Sequence, residues 1–156
     1  MEMDDTNWAI LTALQSDARL SYSELGRRVH LSPPAVADRV RRLEEAGVIT
    51  GYRAVVDATA LGWTVHAIVR MSCHGPRCVL RDPDVPNWPE IMSVDRVTGD
   101  TCSVLRLRAR SIEHFERVID ALAEFGRPSS SMVLSTPLRW KPVERFTNDS
   151  NPATQA

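Results

Sequence analysis

Six arginines crowd a short span near the front of the chain: Arg27, Arg28, Arg39, Arg41, Arg42 and Arg53. Only Asp38, Glu44 and Glu45 oppose them, so residues 27–53 carry a net charge of +3, while residues 1–26 carry −4. Guanidinium groups hold phosphates and read guanine edges through paired hydrogen bonds, so the chemistry on offer is DNA recognition. The formal net charge of the whole chain, −1, conceals this contrast. A second constellation lies at Thr98-Gly99-Asp100-Thr101, where a glycine, a carboxylate and two hydroxyls stand together. Glycine lets backbone amides approach a small anion, and the carboxylate offers a partner for an ammonium group.

The arginines need elements to present them. Trp8, Leu11, Ala13 and Leu14 follow Asp4 and Asp5 at helical spacing, with Ala9 and Ile10 widening the apolar face and the acids placed where the helix dipole favours them. Ser21 and Glu24 form a capping box for a second helix that runs to about Val29. After a turn at His30-Leu31, Ser32 caps a third helix with Pro33 at its first position, and Gly47 ends it. Val36, Val40 and Leu43 make its buried stripe; Pro34, Ala35, Asp38, Arg39, Arg41 and Arg42 lie off that stripe and are expected to face outward. Two helices joined by a tight turn, the second presenting arginines, make a helix-turn-helix. Val48 to Val56 reads as two short strands around Gly51, a β wing. The competing reading is a small helical bundle whose arginines are a solvated face.

The stretch from Leu31 to Ile49, continued by Gly51-Tyr52-Arg53-Ala54, resembles the Lrp/AsnC family of bacterial feast/famine transcription regulators, as do Asp4 to Leu11 and Arg19 to Gly26. The resemblance implies a winged helix-turn-helix with Ser21, Ser32, Pro34, Ala35, Asp38, Arg39, Arg41, Arg42 and Arg53 as the DNA-binding set. The family commonly carries a basic residue where this chain has Asp38. An acid there accepts from cytosine N4 or pairs with Arg41 or Arg42, and the pairing is the expectation.

Beyond Leu61-Gly62 the pattern changes. Val65 to Met71, Ile91 to Thr98 and Cys102 to Ala109 read as strands, the last with apolar residues alternating against Arg106 and Arg108. Ser111 caps a helix whose stripe is Ile112, Phe115, Val118, Ile119 and Leu122, ending at Gly126; a last strand is expected from Ser130 to Leu138. Pro83, Pro86 and Pro89 leave room for only a turn or two of helix around Cys78 to Asp82, followed by an irregular loop through Asn87-Trp88. Val97-Thr98-Gly99-Asp100 is similar to the Gly-acid turn of the same family's ferredoxin-like sensing domain, and Met132 to Ser135 with Trp140-Lys141-Pro142 matches its closing segment. Where family members often continue the turn with Tyr-Asp, this chain has Thr101-Cys102. The resemblance implies an effector, usually an amino acid, held near Thr98, Gly99, Asp100 and Thr101 between dimers. It also implies homodimers that assemble to even-numbered oligomers such as octamers. The other reading of Asp100 is a turn residue capping its own loop.

The expected class is therefore α+β: a winged helix-turn-helix domain over residues 1–50, a wing strand and linker over 51–62, a ferredoxin-like βαββαβ domain over 63–146 and a flexible tail over 147–156. Cys73-His74, Cys78 and nearby His66 invite a metal reading, but their spacing is irregular and strand alternation sends Cys73 and His74 to opposite faces, so no metal is expected. An odd number of cysteines argues against a disulfide framework. Ser129-Ser130-Ser131 lacks a nucleophile-elbow context, and no phosphate loop or dinucleotide fingerprint occurs, so neither an enzyme nor a cofactor is expected. With 156 residues, 43% of them hydrophobic and 25% charged, the composition is globular. The acidic start without an apolar run points to a cytoplasmic protein with no membrane partner. The leading reading is a DNA-binding regulator responsive to an amino acid. A nucleoid-organising protein without effector, and a ligand-binding module that no longer binds double-stranded DNA, are the alternatives.

Overall fold

A computed structural model describes residues 3–73 and 76–146. His74 and the expected tail at 147–156 lie outside the described residues. The chain divides into two compact units, one of residues 1–55 with 138–156, the other Val56–Pro137.

In the first unit, α1 (Asp5–Ser16), α2 (Tyr22–Val29) and α3 (Pro33–Glu45) enclose a core of Ile10, Ala13, Leu25, Val36, Val40 and Leu43. Asp4 caps α1, its carboxylate accepting from Asn7 N at 2.7 Å. The face of α1 differs from the expectation: Ile10 and Ala13 carry the burial, while Ala9 is exposed. α3 ends as Gly47 requires. With Gly47 at φ 68, its amide bonds to Glu44 O at 2.9 Å and that of Val48 to Leu43 O at 2.9 Å, the paired closure of a Schellman motif. Ile49 N also bonds to Leu43 O, at 3.1 Å. That cap explains the fate of the expected wing. No strand forms between residues 48 and 56, because the first amides of the run close the helix, and two strands of three or four residues have no third to pair with. At the far end of the unit, residues 138–146, grouped by the sequence with the sensing domain, return to α1: the Gln15 side chain donates to Val143 O at 3.1 Å and accepts from Val143 N at 2.7 Å.

The second unit is a four-stranded antiparallel sheet in the order β2-β3-β1-β4, from β1 (Val65–Ser72), β2 (Ile91–Arg96), β3 (Ser103–Ala109) and β4 (Arg127–Met132). That order is the one expected of βαββαβ connectivity. Val65, Ala67, Val69 and Met71 alternate inward on β1, as do Leu105, Leu107 and Ala109 on β3. α4 (Ile112–Ala123), capped by Ser111, lays Phe115, Val118 and Leu122 against them, while Ile112 is exposed.

The connection from β1 to β2 departs from expectation. Among the described residues of this connection, only a turn forms at 78–81, and the single helical turn is a 3-10 turn at Val85–Asn87. Three prolines keep that segment from the hydrogen bonding of a longer helix. Its apolar residues do a helix's packing nonetheless, with Val79 and Val85 buried in the core and Trp88 meeting Phe125 edge-on at 6.2 Å. The last strand starts earlier than its apolar residues suggest, since Ser72 to Ala67 of β1 pair with Arg127 to Met132. Leu134, expected inside that strand, is 97% exposed. Among the described residues, no helix is long and apolar enough to cross a membrane.

Candidate nucleic-acid interface and effector loop

Gly26 sets the angle between α2 and α3. A Cβ on this residue would overlap the Leu31 carbonyl oxygen, so only glycine lets the turn close this tightly. Gly26 O accepts from Leu31 N at 3.0 Å, and His30 takes a left-handed conformation at φ 56 and ψ 42 to reverse the chain. Ser32 then sits at the N-cap of α3 in extended conformation, but its hydroxyl makes no capping bond. Ser21 differs: its Oγ accepts from Glu24 N at 3.2 Å and donates to Glu24 Oε2 at 2.6 Å. The Ser21 hydroxyl, then its backbone amide, hold Glu24 below the usual carboxylate range. Ser21 is thus committed to starting α2, whereas Ser32 is open to a ligand.

The sequence places six residues on the outward side of α3, and the structure separates one of them. Arg39 Nη1 donates to Asp4 Oδ2 at 2.6 Å and to Asn7 Oδ1 at 2.9 Å, tying α3 to the cap of α1. At 100° per residue Arg39 lies only about 40° from Leu43 and 60° from Val36, so it flanks the buried stripe and does not oppose it. The hydrogen bond from Asn7 N and the one from Arg39 hold Asp4 below the usual range.

Asp38, Arg41 and Arg42 do stand on the open face, beside exposed Pro34 and half-buried Ala35. Arg41 Nη2 reaches Asp38 Oδ1 at 2.6 Å and Arg42 Nη2 reaches Asp38 Oδ2 at 2.7 Å, while Arg41 Nη1 also binds Glu45 Oε1 at 2.9 Å. Asp38 therefore takes the pairing role expected of it, and the Arg41 hydrogen bond holds its carboxyl low. Glu44 accepts from the Tyr52 hydroxyl at 2.9 Å; burial, then that bond, pushes the Tyr52 phenol up to about 12.

Helix α3 is therefore locally neutral, three arginines against Asp38, Glu44 and Glu45. The uncompensated charge is supplied by Arg53 and by Arg27 and Arg28, two residues outside the DNA-binding set expected from the sequence. None of the three makes an ion pair among the described residues. The available signal was their position in the last turn of α2, beside the elbow. Arg27 also lines a shallow groove there with Ser23, Gly26, His30, Leu31 and Pro33.

In the other unit, Thr98 to Thr101 form the hairpin loop between β2 and β3, closed by Val97 N donating to Cys102 O at 3.2 Å. Gly99 has φ 99 with open space where a Cβ would project, so the restriction is one of backbone conformation. Thr98, Gly99 and Asp100 are exposed and Thr101 is half-buried. The loop's hydrogen bonds leave out the Asp100 carboxylate, so it does not cap its own turn. The loop thus presents a carboxylate beside a positive-φ glycine to solvent.

Residues 3–44 match the AsnC-type helix-turn-helix domain and residues 79–143 match the Lrp/AsnC ligand binding domain. The chain is 39% identical over 139 residues to the HTH-type transcriptional regulator Rv2324 of Mycobacterium tuberculosis, spanning 85% of this chain and 93% of that one. The structure of LrpC from Bacillus subtilis superposes with a TM-score of 0.84 at 31% identity, covering 90% of this chain and all of its own. The transcriptional regulator NMB0573 of Neisseria meningitidis, in complex with L-methionine, superposes with a TM-score of 0.83 at 29% identity, covering 91% and 96%.

Proposed function

This chain belongs to the Lrp/AsnC family of transcriptional regulators, and from that membership we propose that the open face of α3 binds double-stranded DNA while loop 98–101 takes an amino-acid effector. The observation that carries the reading is the elbow at Gly26, which sets an exposed polar helix face beside arginines without internal partners. Arg27, Arg28 and Arg53 hold phosphates, assisted by the Ser32 hydroxyl and by the Ala35 amide, the first N–H of α3 because Pro33 and Pro34 have none. Arg41 and Arg42 exchange Asp38 for phosphate or a guanine edge, and Pro34 and Ala35 offer apolar contact to a thymine methyl. Arg39 acts at one remove, by fixing α3 against α1. Domain limits follow the function: DNA binding in residues 1–50, a linker over 51–62, and sensing and assembly from residue 63 to 137, where the second unit ends. The neutrality of α3 favours one further reading, a nucleoid-organising protein whose affinity rests on phosphates more than on bases. Equal affinity for promoter and scrambled duplexes marks that case.

Amides around Gly99 meet the effector's α-carboxylate and Asp100 meets its α-ammonium, a charge-assisted contact. The L-methionine bound by the Neisseria relative motivates an amino acid in this role. Each of the twenty amino acids is to be added to the protein while its melting temperature is followed, because a ligand that prefers the folded state raises it by mass action. An amino acid that shifts both melting and DNA affinity is expected. Asp100→Ala should lose that response, a coupling of about 1–3 kcal/mol, while still binding DNA. A mutant that responds as the parent does places the effector elsewhere.

The chain is proposed to work in the cytoplasm, where the chromosome is, as a homodimer or a higher even-numbered oligomer such as an octamer. Met132 and Leu134 lie exposed at the end of β4 and just beyond it, apolar side chains that a second copy would cover. Light scattering is expected to give an even multiple of 17.4 kDa; a monodisperse monomer contradicts the assembly.

A further inference from the structure

The three cysteines, separated in sequence, meet at one end of the sheet. Cys73 follows the last residue of β1, Cys78 lies in the irregular connection to β2, and Cys102 immediately precedes β3. Cys102 Sγ stands 2.7 Å from Cys73 Sγ and 4.0 Å from Cys78 Sγ, and all three sulfurs lie within 4.8 Å of one another. All three are free thiols and half-buried. The sheet fixes one of them firmly: Cys102 N donates to Met71 O at 2.8 Å and Cys102 O accepts from Val97 N at 3.2 Å. Antiparallel pairing of β1 with β3 brings Cys73 and Cys102 together, a proximity that local spacing could not reveal.

We propose that Cys73, Cys78 and Cys102 form a three-thiolate site for a soft metal ion of the zinc class. At a metal–sulfur distance of about 2.3 Å, ligands in tetrahedral or trigonal array stand about 3.8–4.0 Å apart. Cys78 and Cys102 already meet that separation. Cys73 reaches it by withdrawing about 1 Å, a side-chain adjustment at the end of a strand. A disulfide would join two sulfurs and strand the third; the convergence of three is what points to a metal.

The donor set fits the same class of ion. Thiolates select zinc or copper(I) over the hard cations magnesium and calcium. Cys73 and Cys102 pack against the apolar core of the unit, which includes Met71 and Val79. Three protein ligands leave a fourth position for water or an added donor. Loading releases the thiol protons to solvent. Because Cys102 directly follows Thr101, an occupied site would also brace one stem of loop 98–101. That consequence rests on the loop's proposed effector role; metal binding itself does not.

The test uses the full-length chain, reduced, loaded with zinc(II) alone and dialysed, with bound metal counted by elemental mass spectrometry and affinity measured against a chromogenic chelator. About one zinc per chain is expected, and zinc should protect all three thiols from alkylation. Cys73→Ser, Cys78→Ser and Cys102→Ser should each weaken binding by at least the ~10–100-fold that loss of a mere supporting contact brings. His66→Ala, outside the cluster, should leave it unchanged. Cys78→Ser is the decisive variant, since it alters a loop and leaves the strands intact, and circular dichroism checks its fold. Zinc uptake well below one per chain, or uptake unaltered in Cys78→Ser, overturns the proposal. So does a reduced protein that takes up no zinc yet forms a Cys73–Cys102 disulfide on exposure to peroxide, which would make the cluster a redox pair.

Discussion

Gly26→Ala is expected to abolish DNA binding and to destabilise the N-terminal unit by roughly 1–3 kcal/mol, the usual penalty for overpacking a closed site. Two effects oppose each other. Alanine is the better helix former by about 1 kcal/mol, which would stabilise α2 considered alone. Its methyl, however, meets the Leu31 carbonyl oxygen, a backbone atom of the turn and not the movable end of a side chain. Relief requires α3 to swing away from α2, which disturbs the packing of Leu25 against Val36 and Val40. A helical unit of roughly 50 residues has a stability of only a few kcal/mol, so a loss of this size leaves an appreciable fraction unfolded. Chemical denaturation followed by circular dichroism, with DNA binding measured in parallel, is the check. Gly26→Val, with a branched side chain, should be worse still. A Gly26→Ala protein that unfolds at the parent's midpoint and binds DNA as the parent does would show that the elbow is not set by this contact.

The helices of the first unit were legible because each carries local punctuation: Asp4, the Ser21–Glu24 box, Pro33 after Ser32, and Gly47. Arg39 was misplaced because a residue at the border of a stripe looks the same in sequence as one facing away. Its partners, Asp4 and Asn7, lie on another helix. The wing was read from β-prone residues, yet a strand needs a partner, and the amides of Val48 and Ile49 already serve the end of α3. Between β1 and β2 the prolines signalled that no long helix fits, but the short helix expected around Cys78 to Asp82 does not form, and the helical turn falls later, at Val85–Asn87. The convergence of three cysteines was invisible for a different reason: alternation along one strand says nothing about what the neighbouring strand brings alongside. In the loop, the positive φ of Gly99 was legible from residue type, and the uncommitted Asp100 carboxylate was seen only in the fold.

The largest effect concerns salt. Each phosphate neutralised by an arginine releases counterions, so affinity falls steeply as salt rises. Arg27, Arg28, Arg41, Arg42 and Arg53 offer five candidate contacts per chain, ten in a dimer. For about six to ten such contacts, affinity should fall by about 10³–10⁵ between roughly 50 and 200 mM salt. Helix α3 modulates this, because Arg41 and Arg42 must leave Asp38 and Glu45 to reach DNA. Arg42→Ala should weaken binding by roughly 10–100-fold if its guanidinium reads a base edge, without lowering the melting temperature. Arg39→Ala should instead lower the melting temperature, since its partners are in α1.

The direct test of the central claim is fluorescence anisotropy with a labelled duplex from upstream of the protein's own coding sequence, titrated with parent and Arg42→Ala protein across that salt range. The DNA-binding account predicts a steep loss of affinity with salt for the parent, and weaker binding with a shallower slope for Arg42→Ala. An affinity that is flat with salt and the same for both proteins would contradict it.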